Sequence, residues 1–451
     1  MIALVVTRVA LLLVLVSSRH SVLSATTVVV ATVAAATFLF LEQRRPRIGL
    51  PPVLAAIGLV LLVAVSSPPR SSNDVWSYTM YGRMVSVHGA SPYKHVPADF
   101  RSDPFDKRVS PIWQHRGSVY GPAFVGYAAA VTFLAGDSVT VDRLLFQLGA
   151  VVVIGAVLWL VWRRTRSPSA LAWLGLHPLF GAVIVNNGQI DAFIGLAILA
   201  AVILASERRG VAAGLAIAAA SLVKITGLLA LAGIVFWLWR RGERRVAVRL
   251  TATAGAAVSL VYLPFVTGAS HVLNGADHTV TPGSPWNLPA QLFVGKDAGR
   301  DLPGLIVHNS TLSTIFYLSL ALTAVLAVGL GWRWARAPRP DLAAGAATAS
   351  YAIAAEYTLP WYAGWALPMF ADRRPTTLGW IVWAQAAVLL AAWRLPTHHT
   401  GGVVDTFLRG TLAYALPIVV LAAFALLRNR GAADDPGAAP DPVTVGAAGG
   451  A

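Results

Sequence analysis

The sequence predicts an all-α polytopic membrane protein with long loops on one side of the bilayer, and three observations support this fold class. Apolar residues make up 56% of the 451-residue chain and charged residues only 12%, whereas a soluble protein carries about twice that charged fraction. Apolar runs of about 17–22 residues recur along most of the chain, which is the length that a membrane-spanning helix needs. Short arginine clusters separate these runs, as is typical of a protein that crosses a bilayer many times.

The apolar runs predict about 13–14 membrane spans within one domain of residues 1–430. Residues 431–451 are rich in Ala, Gly, Pro and Asp, and we expect them to form a disordered cytoplasmic tail. Arg8 interrupts the first run and another apolar run follows at once, so we interpret it as a span and not as a signal peptide. The candidate spans are residues 1–16, 21–41, 48–66, 143–162, 168–185, 189–206, 211–223, 225–239, 246–266, 312–331, 341–357, 359–371, 376–394 and 407–427. The apolar segment 119–136 is expected to be a re-entrant or interfacial helix.

The arginines predict how the protein is oriented in the membrane. With segment 119–136 not counted as a crossing, all of the arginine clusters between spans fall on one side. The clusters are Arg44/Arg45/Arg47, Arg163/Arg164/Arg166, Arg208/Arg209, Arg240/Arg241/Arg244/Arg245, Arg333/Arg336/Arg339, Arg373/Arg374 and Arg428/Arg430. Because loop charge bias sets orientation, this side and both termini are predicted to be cytoplasmic. The expected location is the plasma membrane, with the long loops 67–142 and 267–311 outside the cytoplasm.

Charge and cysteine content exclude several classes of function. The net charge of +15 comes from the short arginine clusters and not from a basic groove, so nucleic acid is not an expected partner. The chain contains no cysteine, which excludes disulfides, thiolate metal sites and thiol nucleophiles. His398 and His399 form a doublet without metal-ligand spacing. No phosphate-binding loop, dinucleotide fingerprint or Ser/His/Asp order is visible.

The first long loop begins with a carboxylate that is suited to base catalysis. Asp74 is expected in the first turn of a helix, just beyond the membrane, on the same face as Tyr78 and Tyr81. The helix dipole favours the ionised form of Asp74, and an ionised carboxylate at the bilayer edge can remove a proton from a hydroxyl. The alternative is that Asp74 only caps this helix, and the local pattern favours neither interpretation.

Two further polar positions lie at predicted outer turns. Lys224 separates two short apolar segments, and its compact ammonium charge suits a phosphate; the alternative is a lysine that extends to the membrane surface. The turn from Asn186 to Asp191 interrupts two spans. Asp191 can bind a substrate hydroxyl or cap the next helix, and the local pattern favours capping.

A carboxylate and two aromatic residues lie close together near residue 360. Glu356, Trp361 and Tyr362 suit sugar binding, because a carboxylate accepts hydrogen bonds from hydroxyls and aromatic rings stack on C–H faces. An interfacial aromatic belt is the alternative for Trp361 and Tyr362, whereas an acid inside an apolar run is costly and suggests a function. The second long loop could form an acceptor groove, although no spacing in it is diagnostic. Its polar and aromatic residues are His271, Asp277, His278, Trp286, Lys296 and Arg300.

The order of these motifs resembles that of the GT-C superfamily of membrane glycosyltransferases. It is most similar to the actinobacterial polyprenol-phosphate-mannose-dependent α-mannosyltransferases, and the resemblance covers about residues 48–395. The motifs that carry it are Asp74, Tyr81-Gly82-Arg83, Gly89-Ala90-Ser91-Pro92-Tyr93, Tyr120-Gly121-Pro122, Asn187 to Asp191, Lys224, and Pro360-Trp361-Tyr362 followed by Trp365 and Pro368. The chain departs from the family pattern at Gln189-Ile190-Asp191, where relatives often have a histidine. It also has a lone Asp74 instead of an Asp-x-Asp pair, so no cofactor is expected and a divalent metal is not indicated.

The resemblance implies an inverting transfer of a sugar, expected to be mannose, from a polyprenyl phosphate to a hydroxyl of a cell-envelope glycan or glycolipid. Asp74 would be the general base, and Lys224 and Arg83 would bind the donor phosphate. The residues that would bind substrate are Tyr78, Tyr81, Tyr120, Asn187, Gln189, Asp191, Glu356, Trp361 and Tyr362. The donor, the acceptor and the lipid bilayer would be the partners.

Other functions remain open from the sequence. One is a transferase of the same fold that uses polyprenyl-phospho-arabinose or another pentose. Another is a transporter or flippase of lipid-linked sugars, which would favour internal repeats and charged residues at the membrane midplane. No repeat is visible, and Asp74, Asp191 and Lys224 lie at predicted outer ends of spans. A third is a catalytically inactive assembly protein.

Overall fold

The protein is helical throughout the part that the structure describes. The computed structural model describes residues 1–17, 21–44, 46–266, 280–281, 283–294, 310–395 and 413–427, and these residues contain no strand. The α-helices are α1 (Ile2–Val16), α2 (Val22–Arg44), α3 (Leu50–Ser66), α4 (Asp74–Ser86), α5 (Pro111–Gln114), α6 (Pro122–Ala135), α7 (Val139–Thr165), α8 (Pro168–Gly175), α9 (Asp191–Ser206), α10 (Gly210–Val223), α11 (Leu229–Arg240), α12 (Arg244–Tyr262), α13 (Asn287–Val294), α14 (Ser310–Trp334), α15 (Pro340–Ala354), α16 (Leu367–Phe370), α17 (Thr377–Trp393) and α18 (Ala413–Leu426). Short 3-10 helices cover Pro97–Phe100, Asp106–Arg108, Ile225–Leu228, Leu263–Phe265 and Pro360–Trp365, and a π-helix covers Phe180–Val185.

The predicted all-α polytopic membrane fold is confirmed. In the described part of the chain, four helical segments are long and apolar enough to cross a bilayer by themselves: α2, α7, α12 with its 3-10 extension to Phe265, and α14. Seven shorter apolar helices, of 10–17 residues, pack among them. Their buried side chains form one large core that extends from α1 to α18.

Two predicted spans are not continuous helices, because prolines interrupt them. Predicted span 168–185 consists of α8 and a separate π-helix, with Pro178 between them; proline has no N–H for the helical ladder. The side chain of the buried His177 supplies hydrogen-bond partners at this interruption. Its Nδ1 accepts a hydrogen bond from the N–H of Leu179, and its Nε2 lies 3.0 Å from the carbonyl oxygen of Trp383. Predicted span 359–371 is likewise divided into the 3-10 helix Pro360–Trp365 and the single-turn α16.

The first long loop folds against the membrane helices. It contains α4, α5 and the helix predicted within 119–136, which is α6. A second core cluster joins these pieces: Tyr78 on α4 contacts Phe124 on α6 and Phe146 on α7, at ring-centroid distances of 5.0 and 6.0 Å. The loop is therefore a packed layer that holds α4 in a fixed position.

A close backbone contact brings the start of α6 to the end of α10. The N–H of Gly121 donates to the carbonyl oxygen of Val223 at 2.9 Å. A Cβ atom on Gly121 would lie 2.1 Å from the carbonyl oxygen of Leu222, so only glycine fits here. The next residue after this contact is Lys224, which is thereby placed beside the first long loop.

Several predictions concern residues outside the described part of the chain. These include the tail 431–451, the doublet His398-His399, and His271, Asp277, His278, Lys296 and Arg300 of the second long loop.

Single cysteines test the predicted orientation, because the native chain has none. Ser102 in the first long loop and Arg374 in an arginine cluster are both exposed. We expect Ser102→Cys to react with a membrane-impermeant maleimide in intact cells, and Arg374→Cys to react only after permeabilisation. The cysteine-free parent is the control for background labelling. The reverse pattern would invert the topology.

Candidate active site

Asn187 fixes the chain segment that leads into Asp74. Its side-chain oxygen accepts hydrogen bonds from the N–H groups of residues 70, 71 and 72 at 3.2, 3.0 and 3.1 Å. Its side-chain nitrogen donates to the hydroxyl of Ser71 and to the carbonyl oxygen of Val183. Asn187 is fully buried and both ends of its amide are occupied. Asn187 thus positions the start of α4, and its expected role in substrate binding stays a prediction.

Gln189 connects Asp74 to a buried tyrosine. The hydroxyl of Tyr78 donates to Oε1 of Gln189 at 2.7 Å, and Nε2 of Gln189 donates to Oδ2 of Asp74 at 2.9 Å. The tyrosine hydroxyl thus fixes which end of the amide faces the carboxylate. Tyr78 and Gln189 are both buried, and this pair holds Asp74 in place; their predicted contact with substrate stays a prediction.

Asp74 begins α4 and is only partly exposed. Burial raises the pKa of Asp74 above its ordinary value, while hydrogen bonds with Gln189 and Ser72 and the charge of Lys224 oppose this rise. A carboxylate with a raised pKa is a stronger base, provided that it is ionised at the working pH. The geometry therefore fits a general base at least as well as a helix cap.

Lys224 lies in the turn between α10 and the 3-10 helix Ile225–Leu228. Its extended backbone, with φ −153° and ψ 130°, ends α10. The ammonium nitrogen lies 4.0 Å from the ring centroid of Tyr362 and 5.2 Å from that of Trp365, within the range of cation–π attraction. Burial lowers the pKa of Lys224 to about 8, although Asp191 and Asp74 raise it. The lysine is thus held by aromatic rings inside the site and does not extend away from it.

Asp191 positions one of these rings. It is the first residue of α9 and is 2% exposed. Its Oδ1 accepts a hydrogen bond from the indole N–H of Trp365 at 2.6 Å. Trp365 in turn stacks on Tyr362, with ring centroids 4.6 Å apart and planes at 26°. Asp191 therefore acts on Lys224 both by charge and through the aromatic pair beneath it.

A cleft of about 130 Å³ opens next to Asp74. Trp361 contributes to its wall, whereas the adjacent Tyr362 contacts Lys224. The residues that line the cleft are Ser71, Ser72, Asn73, Asp74, Ser110, Ile112, Trp113, Tyr357, Leu359, Trp361 and Trp393. Sequence reasoning missed Trp113, Tyr357 and Trp393, and it did not assign Trp365 a role. Trp113 and Trp393 each lie apart from the recognised motifs, so no spacing distinguishes them.

Two predicted tyrosines differ in their relation to the site. Tyr120 is half-buried and lies edge-on to Tyr78, with ring centroids 5.2 Å apart; it remains a candidate to contact substrate. Tyr81 is fully buried, and its hydroxyl donates to the carbonyl oxygen of Arg116 at 3.1 Å. Tyr81 therefore holds the first long loop together.

Arg83 is bound to acids of the first long loop, and its predicted role at the donor phosphate stays a prediction. It is 3% exposed, and it forms ion pairs with Asp103 and Asp137, both at 2.8 Å. It also donates to the carbonyl oxygen of Gly136 at 2.9 Å, and it lies over the ring of Phe105. Because these groups occupy its donors, Arg83 fixes the loop between α4 and α7.

Glu356 is also engaged in structural contacts. The hydroxyl of Ser319 on α14 donates to its carboxylate. Its carbonyl oxygen accepts a hydrogen bond from the N–H of Thr281, which belongs to the second long loop. Glu356 thus joins that loop to the helices near the site. Among the described residues, no group of three or more His, Asp or Glu side chains could hold a metal ion.

The helical membrane fold, with an acid at the start of the first long loop, agrees with the resemblance of the sequence to GT-C membrane proteins. Residues 3–241 match the family model described as "Alpha-(1->6)-mannopyranosyltransferase, N-terminal domain". The chain therefore belongs to the alpha-(1->6)-mannopyranosyltransferase family.

Two relatives illustrate how far the similarity extends. The chain is 29% identical over 328 residues to Alpha-(1->6)-mannopyranosyltransferase A of Mycobacterium tuberculosis, which covers 68% of this chain and 62% of the relative. It is 24% identical over 399 residues to Alpha-(1->6)-mannopyranosyltransferase B of Corynebacterium glutamicum, which covers 78% of this chain and 64% of the relative. The matched region thus spans less than two thirds of the length of either relative.

Replacement of Arg83 tests its structural role. Arg83→Gln leaves Asp103 buried without its cation, and loss of one partner of a buried ion pair costs about 3–5 kcal/mol. We expect a lower melting temperature in detergent and an unchanged donor KM in the folded fraction. Arg101→Gln is the matched control, because Arg101 is exposed in the same loop. A raised donor KM with normal thermal stability would support Arg83 as a phosphate ligand.

Proposed function

We propose that the protein transfers mannose, with inversion, from a polyprenyl phosphate to a hydroxyl of a glycan or glycolipid at the outer face of the membrane. The observation that carries this proposal is that the turn at 186–191 holds Asp74 directly and Lys224 indirectly, since Gln189 donates to Asp74 and Asp191 binds Trp365, the ring beside Lys224. The names of the relatives supply the sugar and the linkage. An α-(1→6) linkage requires a primary hydroxyl on the acceptor.

The surroundings of Lys224 suit a donor that is attached to a lipid. Ile225, the residue after Lys224, is 43% exposed. In a membrane protein, exposed apolar side chains of this kind contact lipid. A phosphate on Lys224 would therefore have apolar surface beside it, along which a polyprenyl chain can leave the site. A nucleotide sugar has no such tail and is made in the cytoplasm, on the other side of the predicted topology.

Asp74 would act as the general base. Its carboxylate accepts the proton of the acceptor hydroxyl while the hydroxyl oxygen forms a bond to the anomeric carbon of the donor. The bond between that carbon and the phosphate oxygen breaks, and its electron pair leaves with the phosphate. One such displacement converts a β-linked mannosyl phosphate into an α-mannoside. It needs no second carboxylate as a nucleophile, unlike a retaining glycosidase.

Lys224 would stabilise the charge that develops on the leaving phosphate. A cation that is already in position needs little reorganisation when this charge appears, and it acts strongly because the surroundings exclude water. Tyr362 and Trp365 contact the ammonium group of Lys224 through cation–π interactions. Asp191 accepts a hydrogen bond from Trp365 and so keeps this ring in place. The Gln189–Tyr78 pair orients Asp74 in the same way. The carboxylate of Asp74 and the ammonium group of Lys224 are thus both held in position by neighbouring side chains.

Asp74→Asn tests the general base. The amide keeps the size of the side chain and can still accept a hydrogen bond at a helix start, but it cannot take up the proton. We expect kcat to fall by at least about 10²-fold, with donor KM and thermal stability close to those of the parent. Asp99→Asn is the matched control, because Asp99 is exposed and caps a 3-10 helix in the same loop. Normal turnover of Asp74→Asn would remove Asp74 from the reaction.

The pH profile gives a second readout of the same role. The base must be ionised, so kcat/KM should fall as the pH decreases through the pKa of Asp74. Because burial raises this pKa, the acidic limb should lie above the range of an ordinary aspartate. The residual activity of Asp74→Asn should lack this limb.

Lys224→Ala tests the phosphate site. Loss of the cation should raise the donor KM or lower kcat, together by about 10²-fold in kcat/KM, while the acceptor KM changes little. Lys224→Arg should restore part of the activity, because it keeps the charge but not its geometry. Lys107→Ala, at an exposed lysine of the first long loop, should behave like the parent. Parent-like donor kinetics in Lys224→Ala would show that the phosphate binds elsewhere.

A further inference from the structure

The cleft beside Asp74 is separate from the surroundings of Lys224. Its lining contains Asp74 but no lysine or arginine, and it includes none of Lys224, Asp191, Tyr362 and Trp365. A phosphate in this cleft would lie beside a carboxylate without a cation in the lining, which is unfavourable. The cleft therefore suits an uncharged group. Its polar lining besides Asp74 consists of hydroxyl and amide groups from three serines, Asn73 and Tyr357.

Two consecutive aromatic residues lie between the cleft and the ammonium group of Lys224. Trp361 and Tyr362 belong to the 3-10 helix Pro360–Trp365, and their rings are 6.4 Å apart with planes at 84°. Trp361 lines the cleft, whereas Tyr362 lies under the ammonium group of Lys224. Asp74 borders the cleft and also interacts with Lys224 by charge. An inverting displacement needs this arrangement, because the attacking hydroxyl and the leaving phosphate lie on opposite sides of the anomeric carbon.

The aromatic walls of the cleft are held from outside it. Trp393, at the end of α17, donates its indole N–H to the carbonyl oxygen of Ser71 at 2.9 Å and contacts Trp361 edge-on at 5.2 Å. Trp113, on the short α5, packs against the guanidinium of Arg116 at 5.5 Å. Both indoles are nevertheless partly exposed. Rigid, partly exposed aromatic faces next to hydroxyl groups are suited to a sugar ring, which has apolar C–H faces and a polar edge.

We propose that this cleft is the acceptor subsite, which binds the terminal hexopyranose of the acceptor glycan against Trp113 and Trp393 and directs its primary hydroxyl to Asp74. The proposal rests on the proposed function and deepens it, because it names the class of acceptor and the residues that select it. It also assigns a function to Trp113, which is separated from Asp74 by 39 residues of the first long loop. The folded loop thus supplies one wall of the subsite and α17 supplies another.

Binding of a neutral oligosaccharide to the full-length protein in detergent tests the subsite without any turnover. The probe is α-(1→6)-linked mannotriose without donor, and its affinity is measured by titration calorimetry. We expect Trp113→Ala to weaken binding by about tenfold or more, the effect of losing one central aromatic contact. Trp113→Phe keeps an aromatic face and should recover part of the affinity. Trp159→Ala is the control, because Trp159 is exposed on α7 and lies next to Arg163, on the predicted cytoplasmic side.

Steady-state kinetics then separate the subsite from the reaction. Trp113→Ala should raise the acceptor KM by a similar factor and leave the donor KM unchanged. Equal affinity of parent and Trp113→Ala for mannotriose would overturn the subsite, even if mannose transfer is intact. The absence of mannotriose binding to the parent would overturn it as well. Conversely, Trp113-dependent binding in a protein that transfers no mannose would support the subsite and contradict the proposed function.

Discussion

The contact between the turn at 186–189 and the chain before α4 determines the geometry of the site. The side-chain oxygen of Asn187 accepts hydrogen bonds from the N–H groups of residues 70–72. The side-chain nitrogen of Asn186 donates to the carbonyl oxygens of residues 64, 67 and 68. Residue 64 lies in the last turn of α3, and the other residues follow the end of this helix, where no helix can satisfy their backbone groups. Unpaired backbone groups are costly when buried, so the two asparagines make the exit from the membrane helix favourable and fix where α4 begins. Asp74 is two residues further along the chain.

The charged groups of the site stabilise one another. Asp74, Asp191 and Lys224 are all largely buried, and each carboxylate offsets part of the cost of burying the ammonium group. Such burial is unfavourable without partners. Hydrogen bonds from Gln189 and Trp365 occupy one oxygen of each acid. The site is therefore a small, prearranged electrostatic unit, and a change to any of its members alters the others.

The sequence was sufficient to predict the membrane fold, because apolar run length and arginine distribution both depend on the bilayer and not on tertiary contacts. It also drew attention to Asp74, Lys224 and Asp191, whose charges are conspicuous near apolar segments, and the structure brings these three residues to one region. The roles of Asn187, Gln189 and Arg83 could not be predicted, since their partners lie 20 to 117 residues away. A polar residue that satisfies a distant backbone group has the same local sequence pattern as one that binds a substrate. Trp113 and Trp393 were missed for the related reason that a cleft exists only after folding.

The position of Trp361 and Tyr362 on one turn of 3-10 helix has a consequence for the order of events in the proposed reaction. Because the two residues are consecutive on this short turn, a shift of the Tyr362 ring next to Lys224 should also shift the Trp361 ring that lines the cleft. Occupancy of either side should therefore favour the conformation that the other side requires, which is positive coupling between two ligands. Under the proposed reaction, such coupling favours a ternary complex in which both substrates are present before transfer. It would also keep a bound donor from reacting with water while the cleft is empty.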